Sequence, residues 1–482
     1  MESIESGLFL KKGLFALLLL SMIEKTFRNT IKRLGLLRKG DAVLAAVSGG
    51  ADSIVMLRLL STVKDELGLK LSVCHLNHNM RGAESMRDLE FVKKTARGLG
   101  LKFIGKTLGK GALVLKGKSL QEAAREERYA FFEDAAKKTG ADRIALGHTL
   151  DDQAETVLLR LLKGASLSGL SGIPPVRAPF IRPLIEVKRE EIERYAADEG
   201  IDFVIDSTNN TPKYLRNSVR LALIPFLEKN YNCSVKETLA RTARVLAFDD
   251  AFIDGAADEA FPALIERGKG YLALDRLKIL SLHRAVSSRV FLKALGSFDP
   301  ASASDLSSAH VEAFHAIVDG RSPSASIKLP CGIVLRREYD RVIIARGTPV
   351  KRKPFEKILK VPGRTVIPGC GAFVAEVSNK RPKSIVTGVD TIYLDLDEAG
   401  DGLFLRPFIP GDRIVPFGMT GHKKIKDILI DAKAPRHTRQ SIPLLLRGGD
   451  VIWVAGVKRS DLFRVTGKTA RVLKVEWVGR GG

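Results

Sequence analysis

The sharpest chemical signal in the chain is a run of six residues, Ser48-Gly49-Gly50-Ala51-Asp52-Ser53. It follows an apolar strand pattern and precedes a helical one. Two adjacent glycines let the backbone curl so that successive N–H groups face one concavity. The helix behind adds the positive end of its dipole. Such a loop holds a phosphate or pyrophosphate. It is neither G-x-x-x-x-G-K-[ST] nor G-x-G-x-x-G. Without the lysine of the former, another residue must meet the outer phosphates. Asp52, at the helix start, suits a Mg2+ carried on those phosphates. Read purely as structure, Asp52 caps an ordinary strand–helix turn.

Two more polar loops follow strand patterns, His75-Leu76-Asn77-His78-Asn79-Met80-Arg81-Gly82 and Gly147-His148-Thr149-Leu150-Asp151-Asp152-Gln153. The plain alternatives are that His75 and His78 only bond within their loop, and that Asp151 and Asp152 only complement a helix dipole. Ser119-Leu120-Gln121-Glu122 reads as a capping box opening a helix. On that helix Arg125 and Tyr129, four apart, share a face. A surface salt-bridge network among Arg125, Glu126, Glu127 and Arg128 is the competing reading. Farther on, Asp206-Ser207-Thr208-Asn209 and Tyr214-Leu215-Arg216-Asn217-Ser218-Val219-Arg220 form a polar cluster ahead of an apolar helix.

The elements that must position these loops are legible from periodicity. Short apolar strands are expected over residues 41–47, 70–75, 101–104 and 143–147. They alternate with helices over 54–67, 89–99, 119–138 and 151–162. That order predicts an α/β fold, a doubly wound parallel-sheet nucleotide-binding domain. Ligands of such sheets sit beyond the carboxyl ends of the strands, where Ser48, His75 and His148 all emerge. After about residue 235 the pattern changes. A mostly helical middle domain is expected over 236–350, with a β-hairpin at 326–345. A small α+β domain over 355–482, with one helix near 425–432, follows the basic linker Lys351-Arg352-Lys353-Pro354.

Composition narrows the partners. Across 482 residues, 78 Lys+Arg against 55 Asp+Glu give a net charge of +23, which attracts polyanions, nucleic acid first. Residues 402–482 alone hold 16 Lys+Arg and 6 Asp+Glu, a net +10. Cys74, Cys233, Cys331 and Cys370 are too few and too dispersed for a disulfide scaffold. No C-x-x-C marks a zinc ribbon or an iron–sulfur cluster, and a reducing, cytoplasmic compartment is expected. Residues 1–21 contain Lys11-Lys12 and an apolar run from Gly13 to Leu20, too short to span a bilayer. They read as an N-terminal extension or a mis-called start, with Met22 opening the amphipathic series Ile23, Phe27, Ile31 and Leu34. The rival reading is a weak membrane-surface anchor; stable membrane association is not expected.

Together the strings S-G-G-A-D-S, H-L-N-H-N-M-R-G-A-E-S (75–85), E-A-A-R-E-E-R-Y (122–129) and G-H-T-L-D-D-Q-A-E-T (147–156) resemble the N-type ATP pyrophosphatase superfamily. Adding L-L-R-L-L-K-G-A-S-L-S-G-L-S-G-I (158–173), D-S-T-N with Y-L-R-N-S-V-R (206–220), I-K-D-I-L-I-D-A-K-A-P-R (425–436) and P-L-L-L-R-G-G-D-V-I-W-V-A-G (443–456) narrows the resemblance to the tRNA(Ile)-lysidine synthetase family. Two departures stand out, Thr149 where that family often has a second histidine, and Met80 where leucine is usual.

The resemblance implies a ligase. It would adenylate the wobble cytidine of the CAU anticodon of tRNA(Ile) with ATP and Mg2+, then add free L-lysine to give lysidine, AMP and pyrophosphate. It implies a catalytic ATP-binding domain over 22–235 and tRNA- or substrate-binding regions over 236–350 and 355–482. It assigns catalysis to Asp52, Arg125, His148 and Asp152, and ATP to Ser48, Gly49, Gly50, Ala51, Asp52, Ser53 and His75, with Asp52 on the metal. Substrate candidates are His78, Arg81, Tyr129, Asn209, Arg216 and Asn217. Candidates for tRNA phosphates are Lys423, Lys424, Lys426, Arg436 and Arg439. A homodimer is compatible with the family. A tRNA thiolase, or a small-molecule amide synthetase with the same ATP loop, are the alternatives.

Overall fold

The structure is a computed structural model that describes residues 22–79, 82–109, 120–204, 215–300, 306–347, 354–382, 388–439 and 441–478. Residues 1–21, Arg81, Ser119 and Asn209 lie outside them, as does the side chain of Arg436. The chain divides into two compact units, Met1–Phe252 and Ile253–Gly482.

The first unit opens with a helix, α1, over 22–34. Its Ile23, Phe27 and Ile31 are buried, as their spacing predicts. Strands and helices then alternate: β1 (Ala42–Ala46), α2 (Ala51–Leu67), β2 (Lys70–Asn77), α3 (Ala83–Gly98), β3 (Lys102–Thr107), α4 (Leu120–Thr139), β4 (Arg143–Leu146) and α5 (Leu150–Leu162). The short elements α6 (Leu167–Leu170), β5 (Val176–Arg177) and β6 (Phe180–Ile181) precede α7 (Arg189–Asp198). The sheet order is β3-β2-β1-β4-β6-β5, parallel except for the edge strand β5.

β1 shows why this sheet is doubly covered. Val43 and Ala45 pack into one core with Phe27 of α1, Leu57 of α2, Val92 of α3 and Ile192 of α7. The alternate residues Leu44 and Ala46 pack against Phe131, Phe132 and Ala135 of α4 on the other face. Chain order reverses between β1 and β4, since β2 lies on one side of β1 and β4 on the other. This topological switch point opens a crevice beyond the carboxyl ends of both strands.

Residues 236–320 are largely helical, in Val235–Leu264, Arg276–Leu280, Arg284–Phe298 and Ser308–Asp319, but the helical pattern gives way at 265–275. Ile265–Gly268 and Tyr271–Asp275 form a hairpin, and with Ser326–Lys328, Ile333–Glu338 and Arg341–Arg346 they build a five-stranded sheet. The cause is local. Lys269-Gly270 makes the turn, with Gly270 at φ 81°, and Leu272 and Leu274 alternate into the core while Ala273 faces Ile343. Helices Arg284–Phe298 and Ser308–Asp319 join through stacked Phe291 and Phe314, centroids 4.4 Å apart. Beyond residue 355, two antiparallel sheets enclose Phe373, Trp453 and Leu473. Helix Ile425–Asp431 closes a neighbouring apolar cluster with Ile425, Ile428 and Leu429.

Candidate active site at the switch point

The loop after β1 is held by its own backbone. Gly49 sits at φ 100°, where a side chain is strained, and Gly50 caps α2. Ser53 shapes the loop: it is buried, its Oγ accepts from the backbone N–H groups of Ser48 (3.1 Å) and Gly49 (3.3 Å), and it donates to Gly50 O (2.9 Å). A hydroxyl so engaged satisfies loop groups that would otherwise be orphaned. Gly147, at the end of β4, brings the third loop onto this one. A Cβ there would lie 3.2 Å from Ser53 Cα and 3.3 Å from the Asp52 carbonyl carbon. Any side chain there would force the two loops apart by a few tenths of an ångström.

This contact sets two carboxylates together, each in the first turn of its helix. Asp52 Oδ2 accepts from Arg189 Nη2 at 2.8 Å, while its Oδ1 is buried without a partner. Burial, opposed by Arg189, leaves the Asp52 carboxyl above its ordinary pKa. Asp152 forms a capping box with Thr149: Asp152 Oδ2 accepts from Thr149 N (3.0 Å), and Asp152 N donates to Thr149 Oγ1 (3.3 Å). Thr149 is therefore the fully buried orienter of Asp152. Asp152 Oδ1 meets Arg216 Nη2 at 2.7 Å and Arg189 Nη2 at 4.0 Å. Burial pushes the Asp152 carboxyl up, but Arg216, His148 and the Thr149 N–H hold it below its ordinary value.

Histidines and arginines complete the wall. His148 Nδ1 is buried and unpartnered, and burial, with Arg182, Arg216 and Arg125 nearby, brings its pKa down to about 4. His75 donates from Nδ1 to Val47 O at 2.8 Å, is held neutral mainly by burial, and so presents Nε2 as an acceptor. His78 accepts from Arg128 Nε at 3.4 Å and is lowered to about 4, by burial first and then by Arg128. Arg125 is exposed and lies over the Tyr129 ring, 4.9 Å from its centroid, with Nη2 3.2 Å from the phenol oxygen. This confirms the shared face. The salt-bridge alternative does not hold for two of its members, because Glu127 pairs with Lys106 and Arg128 with His78. Asn217 is half-buried beside Arg216.

Several residues that build the site escaped sequence reasoning. Glu155 is 1% exposed and accepts from Arg216 Nε at 2.7 Å and from Arg220. Arg182, 3% exposed, lies near Tyr129 and His148 and donates to Pro174 O at 2.6 Å. Arg189 comes from the start of α7, and Asp151 Oδ2 anchors its backbone N–H at 2.7 Å. The one available signal was charge out of place: a glutamate on the buried face of α5, and an arginine at a helix N-terminus.

In the second unit, Lys424 and Lys426 are exposed and Lys423 pairs with Asp431 at 2.6 Å. Arg439 is placed in a structural tie: it donates to Ala434 O (2.9 Å) and to Tyr339 Oη (2.7 Å) in the turn of the middle sheet. Lys433 pairs with the adjacent Asp340 at 2.9 Å. No helix among the described residues is long and apolar enough to cross a membrane.

Comparison with known proteins gives this geometry a context. A PP-loop domain model matches residues 19–227, and a model described as the TilS substrate C-terminal domain matches 403–477. The tRNA(Ile)-lysidine synthase of Geobacter sulfurreducens is 38% identical over 92% of this chain and 95% of its own. The enzyme of the same name from Caldanaerobacter subterraneus subsp. tengcongensis is 35% identical, covering 95% and 97%. Among solved structures, a U34-tRNA thiolase from Methanococcus maripaludis aligns at 20% identity and TM-score 0.41 over 48% of this chain and 80% of its own.

Proposed function

The chain belongs to the tRNA(Ile)-lysidine synthase family, and from that premise we propose that it attaches free L-lysine to C2 of the wobble cytidine in a CAU anticodon. ATP first adenylates the cytidine oxygen and releases pyrophosphate; the lysine ε-amine then displaces AMP. The observation that carries this reading is the meeting of the Gly-rich loop with Asp52, His148 and Asp152 at the switch point, ringed by arginines.

The cytidine oxygen is a weak nucleophile, so the α-phosphate must be made electrophilic and the departing pyrophosphate neutralised. The 48–53 loop and the α2 N-terminus receive the phosphates. The unpartnered Asp52 Oδ1 fits a hard divalent cation, which supplies charge neutralisation on the pyrophosphate when bound. Arg125 reaches solvent from its aromatic seat and steadies charge on the phosphate or the activated base. His148 stays uncharged at neutral pH and positions the cytidine. Asp152 stays ionised and pairs with the lysine ammonium. In the basic C-terminal region, Lys424 and Lys426 meet tRNA phosphates. The work belongs in the cytoplasm.

A thiolase would need paired catalytic cysteines or a cysteine-held cluster; Cys74 is buried with its thiol pushed well up by burial, and the exposed Cys233 and Cys331 belong to no C-x-x-C pair. The test combines protein, ATP, Mg2+, radiolabelled lysine and a CAU-anticodon tRNA(Ile) transcript. Label incorporated into tRNA supports the reading. Folded protein that transfers no lysine overturns it.

A further inference from the structure

The position of Arg189 is unfavourable by local rules. It is the first residue of α7, where the helix dipole disfavours a cation, and the acids expected there, Glu190 and Glu191, follow it. Its surroundings explain it. Asp151 fixes its backbone N–H, and its guanidinium lies 2.8 Å from Asp52 Oδ2 and 4.0 Å from Asp152 Oδ1. A guanidinium stays charged at any working pH and offers a rigid planar fork. It therefore balances two carboxylates that would otherwise repel one another across the cleft. Asp52 Oδ1 is left buried and unpartnered, a condition a folded protein keeps only for a reason.

We propose that Arg189 is a positioning residue: by holding Asp52 Oδ2 it turns Oδ1 toward the phosphate loop as the one oxygen free for a divalent cation, and its charge restrains metal binding until nucleotide arrives. This rests on the reading that Asp52 meets the metal. Arg189 thus trades metal affinity for alignment, and its removal separates the two.

The test is Mn2+ binding to the intact protein, read from free Mn2+ by electron paramagnetic resonance, alongside ATP–pyrophosphate exchange with tRNA. Losing a unit charge that acts on a divalent cation over about 5 Å through water changes affinity about sixteenfold, and more in a half-buried cleft. Arg189→Met is expected to bind Mn2+ about sixteenfold more tightly while exchange slows. Arg189→Lys restores the charge without the fork, so its metal affinity returns toward wild type while exchange stays slow. It also serves as the second variant should Arg189→Met fold poorly. If Arg189→Met binds Mn2+ like wild type, or Arg189→Lys exchanges like wild type, while Asp52→Asn abolishes Mn2+ binding, the Arg189 proposal is overturned and the Asp52 reading stands. If Asp52→Asn binds Mn2+ like wild type, both fall.

Discussion

Replacing Gly147 by alanine adds one methyl group at the point where two site loops touch, and the consequence can be worked from the coordinates. The new Cβ would stand 3.2 Å from Ser53 Cα, 3.3 Å from Asp52 C and 3.3 Å from Ser53 N. Comfortable carbon contacts begin near ~3.5–4.0 Å, so the shortfall is about 0.2–0.8 Å. All three atoms are backbone of the first turn of α2, so no side chain can rotate away. Relief requires the Asp52 segment to move off the end of β4. Overpacking of this kind costs about 1–3 kcal/mol. At roughly 2–4 °C per kcal/mol for a unit of this size, the melting temperature should fall by about 4–8 °C for a mid-range cost. A misplacement of ~1 Å in a reacting group can cost ~100-fold, so half that shift should slow adenylation about tenfold. Scanning fluorimetry and ATP–pyrophosphate exchange measure the two effects. Gly98→Ala is the matched control: nothing lies within 4 Å of its added Cβ, and its stability should hold or rise. If Gly147→Ala melts and exchanges like wild type, the two loops do not pack as described.

Glu155→Gln leaves two arginines facing a neutral amide. A broken buried pair costs ~3–5 kcal/mol, and the partial exposure of Arg216 and Arg220 reduces that to about 2 kcal/mol, measurable by chemical denaturation. Thr149→Ala removes a buried helix cap and should cost about 1 kcal/mol, with Asp152 less firmly held; a fall in kcat without a change in tRNA affinity would mark the second effect. His148 and His78 both titrate near pH 4 in the folded protein, below the ordinary histidine value. The unfolded chain therefore binds more protons as pH falls from about 6.5 toward 4, so stability is lost across that window; a His148→Asn, His78→Asn chain should show a flatter profile in melts taken at successive pH values. Thiol labelling should reach Cys233 and Cys331 in the native protein, and Cys74 and Cys370 only after denaturation.

The parallel sheet was legible because strands buried on both faces read as apolar runs, and β1 is buried on both. The phosphate loop and its order were legible because two glycines between strand and helix have few other uses. What stayed hidden is what comes together from far along the chain. Asp52 and Arg189 are 137 positions apart, and Arg216 and Asp152 are 64 apart. No local pattern reports such a pairing. Thr149 looked like a departure from the family because its role is visible only in the hydrogen bond to Asp152. That Ser53 ties the loop's own backbone was hidden because a loop motif cannot show which way a hydroxyl turns. The hairpin of 265–275 was missed because its strands are short and the preceding helix pattern runs into them.

The tie at Tyr339 makes the basic C-terminal lobe something other than a tethered tail. Tyr339, itself at φ 57°, receives Arg439, while Asp340 beside it receives Lys433. The turn of the middle sheet thus plugs into the lobe that carries Lys424 and Lys426. Within this unit that tie fixes the lobe carrying the exposed Lys424 and Lys426 against the turn of the five-stranded sheet. A cut near residue 355 would break that joint rather than free a module, so substitution of the lysines, read by the salt dependence of binding, is the cleaner way to ask what the lobe holds.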